Sequence, residues 1–248
     1  MIYVTGDTHG DIRRFNRESF PEQKEMTKDD YVIVLGDFGM VWDWEGESRT
    51  EKYWLDWLEK KSFTTLFIDG NHENHDRLND MPVEEWHGGK IHRIRPSIIH
   101  LMRGQVFEIE DLKIFTFGGA SSHDISDGIL EPGDPRIPKW YRDPYKLFRV
   151  NKQSWWEREL PTQKEMNEGI SNLDSVGWKV DFIMTHCAAT STTIQLRGGQ
   201  YELDILTKYL EEIKGKLNYK KWFFGHHHMD KQINAEEICL FEQIVQIH

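Results

Sequence analysis

The stretch YVIVLGD (Tyr31–Asp37) sets the pattern of the chain: five apolar residues that stop at Gly36 and Asp37. A short run rich in β-branched side chains and bounded by glycine reads as a buried strand. The pattern recurs on both sides. Ile2–Thr5 runs into Gly6-Asp7-Thr8-His9, and Leu66–Ile68 leads through Asp69 to Gly70-Asn71-His72-Glu73. Phe182–Met184 is followed by Thr185-His186, and Trp222–Phe224 by Gly225-His226-His227-His228. Each run thus delivers Asp, Asn or His at its C-terminal end.

Helical spacing separates the runs. Ser48–Lys61 places Tyr53, Trp54, Trp57 and Leu58 on one face, with Ser48 as N-cap and Glu51 three residues on. Leu203–Leu217 repeats Leu203, Leu206, Leu210 and Ile213. Gln153–Asn167 is a weaker helix, interrupted by Pro161. Alternating strands and helices predict an α/β fold whose strand ends line a ligand crevice. Val106–Gly118 predicts a β-hairpin about Glu110-Asp111, and about 120–150 reads as an irregular insertion or cap on a single domain spanning 1–248.

Composition narrows the function. The chain of 248 residues carries 42 acidic against 31 basic residues, a net charge of −11. That balance disfavours an extended nucleic-acid groove, which needs excess Lys and Arg to displace counterions. A small phosphorylated ligand needs only local positive charge. Cys187 and Cys239 make no CxxC pattern, and the start MIYVTGDTHG has neither a basic n-region nor a long apolar stretch. With no run near the ~18 apolar residues of a membrane span, the expectation is a cytoplasmic protein away from membranes. His72-Glu73-Asn74-His75 is HExH rather than HExxH, and no GxxxxGK[ST] loop is present.

The ordered set Gly-Asp7-Thr-His9, Gly-Asp37, Gly-Asn71-His72-Glu, His186 and Gly-His226-His-His228 resembles the calcineurin-like metallophosphoesterase superfamily, over most of the chain. The resemblance implies an α/β/β/α sandwich, with central sheets flanked by helices and a metal site at the strand C-terminal ends. It also implies that Asp7, His9 and His228 hold one divalent ion, that Asn71, His186 and His226 hold a second, and that Asp37 bridges them. His72 then protonates the leaving oxygen. Two such cations beside two aspartates leave roughly two positive charges for a phosphate, and a water bridging them ionises near neutral pH and attacks phosphorus in line. Mixed N/O ligation suits Mn, Fe, Zn, Co or Ni, and manganese is the working choice.

The implied activity is metal-dependent hydrolysis of a phosphate ester. A phosphomonoesterase acting on a metabolite or a phosphoprotein leads; a phosphodiesterase or nucleotide pyrophosphatase, and a non-catalytic metal-binding scaffold, are the alternatives. The Ser/Thr phosphatase branch follows its bridging Asp with a further Asp and Arg, and has Arg before Gly-Asn-His. Here Phe38-Gly39-Met40-Val41-Trp42 follows Asp37, and Asp69 stands before Gly70. Arg142, Arg149 or Arg197 could grip phosphate instead, and Asp43 or Glu45 could orient His72. His123 is a further substrate contact. Trp42 and Trp44 are read as packing beneath the insertion. His227 is expected to point away along a continuing strand, and His75, His87, His92, His100 and His248 are read as core or surface residues.

Overall fold

A computed structural model describes residues 1–198 and 203–248. All five apolar runs are strands. The first half of the chain forms β1 (Ile2–Thr5), β2 (Tyr31–Leu35), α1 (Arg49–Glu59), β3 (Thr64–Ile68), α2 (His75–Asn79), β4 (Val83–Trp86), β5 (Gly89–Arg95), β6 (Ile98–Leu101), β7 (Gln105–Ile109) and β8 (Leu112–Phe117). There follow β9 (Gly128–Leu130), α3 (Ile137–Trp140), β10 (Phe148–Val150), α4 (Gln163–Ser175), β11 (Phe182–Thr185), α5 (Thr190–Arg197), α6 (Ile205–Lys214), β12 (Lys221–Phe224), β13 (Lys231–Gln232), β14 (Glu237–Cys239) and β15 (Ile244–Gln246).

Apart from β9 and β10, the described strands build two sheets, ordered β15-β1-β2-β3-β6-β5-β4 and β13-β14-β12-β11-β8-β7. β1, β2 and β3 run parallel, as do β8, β11 and β12, so the five ligand-type strand ends point one way within their sheets. Side-chain alternation assigns the layers. Ile2, Val4, Ile33, Leu35, Leu66, Ile68, Met184 and Phe223 meet between the sheets. Val32, Val34 and Phe67 face outward beneath Leu55 and Leu58 of α1. Ile183, Trp222 and Phe224 face the other way, beneath α4 and α6. This is the expected α/β/β/α sandwich. Among the described residues no helix is long and apolar enough to cross a membrane.

Several elements differ from the sequence expectations, each for a local reason. The Ser48–Glu51 capping box forms, but α1 buries Leu55 and Leu58, leaves Trp54 and Trp57 half-buried, and leaves Tyr53 62% exposed. The weak helix at 153–167 is displaced. Pro161 ends the preceding segment, and Thr162 with Glu165 forms a second capping box that starts α4. Trp155-Trp156 therefore precede a short 3₁₀ turn instead of opening a helix. α6 starts after its cap Asp204, so Leu203 lies outside it. The hairpin turns at Glu110 and Asp111, both at positive φ. The insertion is partly ordered: β9 and β10 form a parallel ribbon, with α3 between them in sequence. The β4–β5–β6 meander was not anticipated.

Candidate metal centre

The ends of β1 and β2 are tied first by backbone. The Thr8 and His9 amides both donate to the Asp37 carbonyl, at 3.1 and 2.7 Å. The His72 amide donates to Asp37 Oδ1 at 2.8 Å, and the His226 amide to Asp7 Oδ1 at 3.0 Å. Arg14 holds the Asp7 carbonyl from behind at 2.8 Å. Packing this close requires missing side chains. A Cβ on Gly70 would lie 2.1 Å from Asp37 Oδ1 and 2.4 Å from Asp37 N, and one on Gly225 would lie 2.2 Å from Asp7 Oδ1. His9, Asp37, His226 and His228 all adopt positive φ, between 44° and 65°. Such backbone costs about 1–3 kcal/mol per non-glycine residue and gathers at functional sites.

Asp37 faces two groups at once. Its Oδ2 lies 3.6 Å from His9 Nε2, and its Oδ1 lies 3.4 Å from His186 Nε2. On the first side, donor atoms of Asp7, His9, Asp37 and His228 all lie within 4.8 Å of one another. On the second, His186 Nε2 is 3.4 Å from Asn71 Oδ1, and the His226 ring packs edge-on to His186 at 5.0 Å. The first group opens to solvent through His9 and His228, whereas His186, Asn71 and His226 are buried.

The donor chemistry fits divalent cations. Burial alone would lower His186, yet Asp37 and Asp7 beside it push it up to about 10. A proton there compensates charge that a cation would compensate better. Burial would likewise raise Asp37, but His186, His72 and His9 hold it well below the usual carboxylate range. A pH dependence follows. Because the His186 value in the fold exceeds its ordinary 6.5, its stabilisation of the metal-free chain is complete below about 6.5 and fades as pH rises toward about 10. Metal must displace that proton, so affinity should climb over the same window. Melting curves with EDTA and with Mn²⁺ should diverge between about pH 7 and about pH 9; parallel curves would contradict this.

A cavity of about 310 Å³ opens beside Asp37, lined by His9, Asn71, His72, His123, Asp124, Arg149, His226 and His228. Arg149 of β10 brings Nη2 to 3.3 Å from His72 Nε2 and is held by both oxygens of Asp124. Burial lowers His72 to about 4, with Arg149 adding to the shift and Asp37 opposing it. His123 packs edge-on to His226 at 5.6 Å. Of the other arginines considered, Arg142 is exposed, and Arg197 donates to the His227 carbonyl at 3.1 Å. Neither Asp43 nor Glu45 lines the cavity. Asp43 instead uses its carbonyl to hold Asn74 and Arg77.

Further corrections concern the segments after β3 and β12. His227 does stay out of the cavity, but not along a continuing strand. β12 ends at Phe224, and left-handed turns at His226 and His228 set the side chains. Asp69 turns away from the cavity into a buried network, accepting from Arg103 Nε at 2.8 Å and lying 3.1 Å from His100 Nε2. His75, His92 and His100 are buried there, while His87 and His248 are exposed. Three contributors were not read from sequence. Asp124, which follows His123 in the insertion, holds Arg149. Buried Glu73 accepts the amides of Gly70 and Gly39, joining the loops after β3 and β2. Trp42 stacks on His72. Glu73 directly follows the Asn-His pair, which was a readable signal; Asp124 and Trp42 had none.

Comparison with known proteins agrees with this geometry. The family model for calcineurin-like phosphoesterases matches residues 1–230. Curated relatives include lariat debranching enzyme A of Xenopus laevis, 27% identical over 60% of this chain and 27% of that protein. The lariat debranching enzyme of Danio rerio is 24% identical over 75% of this chain and 30% of that protein. That of Schizosaccharomyces pombe is 23% identical over 82% and 44%. The chain thus spans less than half the length of these relatives. The Asp37-centred cluster and the match over nearly the whole chain place it in the calcineurin-like phosphoesterase family, metal-dependent hydrolases that use two divalent ions.

Proposed function

We propose that this chain hydrolyses a phosphate monoester, carried on a small molecule or a phosphoprotein. The observation that carries the reading is Asp37, with one oxygen toward His9 and the other toward His186. Asp7, His9 and His228 would hold one divalent ion, Asn71, His186 and His226 the other, and Asp37 both. When bound, the ions supply the positive charge that ionises a water and neutralises the phosphoryl oxygens.

The chain's own groups then divide the remaining work. Arg149, kept in place by Asp124, turns from His72 Nε2 to a phosphoryl oxygen, with His123 also lining the cavity. The incoming anion places negative charge against His72 and raises its affinity for a proton, which it gives to the leaving oxygen. Arg149→Ala should raise KM about 10–100-fold, the range for a lost hydrogen bond to a charged group, and leave metal content intact. A change confined to kcat would argue against the contact. A cytoplasmic setting is part of this reading and is supported by two buried, unpaired cysteines.

Likeness to lariat debranching enzymes favours a second reading, hydrolysis of a phosphodiester. The two separate on 4-nitrophenyl phosphate and bis(4-nitrophenyl) phosphate, assayed with Mn, Fe, Zn, Co and Ni. A higher kcat/KM on the monoester is expected. The reverse order would transfer the assignment to diesters, and no turnover of either would leave the scaffold alternative.

A further inference from the structure

Among the described residues His72 has no carboxylate partner of the kind the phosphatase branch gives its histidine. No carboxylate among the described residues is within hydrogen-bonding distance of its ring, and the one described polar group that meets Nε2 is Arg149, which would have to leave for substrate. Something else must hold the imidazole when the guanidinium moves. The ring lies flat against Trp42, with centroids 5.5 Å apart and planes 26° apart, and His9 packs on its edge at 4.8 Å.

Trp42 is itself fixed from three directions. Its amide and that of Asp43 donate to Glu51 Oε1 at 2.6 and 2.8 Å, and buried Glu51 is paired with Arg77 at 2.9 Å. The Asn74 amide donates to the Val41 carbonyl at 2.7 Å, and Asn74 Nδ2 donates to the Asp43 carbonyl at 3.2 Å. These bonds clamp the 41–43 turn to the segment that carries His72. The indole also packs edge-on against Trp156, which is 2% exposed and sits at the root of the cap. The stack therefore joins two segments whose backbones are already locked together.

We propose that Trp42 is a positioning residue for His72, doing with an aromatic face what a carboxylate does in the phosphatase branch. The face restricts the ring to rotation in its own plane and keeps Nε2 aimed into the cavity, where the leaving oxygen must lie. The inference rests on the acid role of His72. It also gives the cap an influence on proton transfer: Trp156 backs the indole from beside the ribbon that carries Arg149.

The test is a leaving-group series of aryl and alkyl phosphates with Mn²⁺-loaded wild type, Trp42→Leu, Trp42→Phe, His72→Ala and the double variant Trp42→Leu/His72→Ala. A stacking contact of ordinary strength converts to about a 2–10-fold rate effect. Trp42→Leu should lower kcat about 10-fold on alkyl phosphates and about 2-fold or less on 4-nitrophenyl phosphate, with little change in KM. Trp42→Phe should recover most of the loss. The double variant should be no slower than His72→Ala alone, because the two residues act as one unit.

A uniform loss across leaving groups, or a loss in the double variant beyond that of His72→Ala, would overturn the inference. If His72→Ala is sensitive to the leaving group and Trp42→Leu is not, only the positioning role fails. If His72→Ala is itself insensitive, the acid reading falls and takes the positioning role with it. Metal content and melting temperature identify a misfolded Trp42→Leu, in which case Trp42→Met decides: a leaving-group-dependent loss supports the role and a wild-type profile opposes it.

Discussion

Asp37→Asn should leave the protein unable to retain either metal, with affinity down about 100-fold or more and kcat/KM down on the order of 1000-fold. The scale follows from outer-sphere ligands, whose loss already costs about 10–100-fold. Asp37 contributes more. It is 2% exposed, and its two oxygens address the two donor groups separately. An amide keeps the shape, so the His72 amide can still be accepted by the side-chain carbonyl. What disappears is the negative charge that offsets two neighbouring cations and the second anionic oxygen. Metal analysis after dialysis, with kinetics at saturating Mn²⁺, measures both effects. Full retention of two ions would remove Asp37 from the bridging position. The same variant should also stabilise metal-free His186 less, so its melting temperature should lose part of the dependence on alkaline pH.

Arg103→Met should be the costliest change away from the metal donors, destabilising by about 3–5 kcal/mol, the range for stranding one partner of a buried ion pair. Arg103 is buried against Asp69, and its Nη2 also serves the carbonyls of Arg158 and Glu159 at 2.9 and 3.2 Å. The residue therefore ties the cap root to the loop that carries Asn71 and His72. His75 is held down to about 3 by burial and by Arg103, while Asp69 pulls the other way. Without Arg103 the His75 value rises toward its ordinary range, and a proton there compensates Asp69. The deficit should therefore shrink as pH falls from about 8 to about 6. Urea unfolding at both pH values checks this, and a loss below about 1 kcal/mol at both would show that Asp69 is neutralised by other means.

What the sequence revealed and concealed follows from how local each signal is. Strands β1, β2, β3, β11 and β12 were readable because each is a short bulky run cut off by glycine or threonine, so that neighbours in sequence carry the whole message. The α1 capping box was readable for the same reason, and the one starting α4 was equally local in Thr162 and Glu165 but was obscured by Pro161. The β4–β5–β6 meander escaped because exposed Glu84 and Glu85 and the polar positions of β5 break the apolar run. The turn after β12 was misjudged because left-handed histidines are uncommon, and only the packed strand ends enforce them. Contacts between distant segments were invisible: Asp69 with Arg103, Arg149 with Asp124, and Trp42 with His72 are made by folding alone. Side chains clustered at one end of parallel strands could therefore be anticipated, whereas the groups that orient them could not.

The most direct test is anomalous diffraction from crystals of the Mn²⁺-loaded protein. Two peaks about 3.5–4 Å apart are expected, with Asp37 between them, Asp7, His9 and His228 around one, and Asn71, His186 and His226 around the other. A single peak, or two ions with no shared contact to Asp37, would contradict the two-metal centre on which the proposed hydrolysis depends.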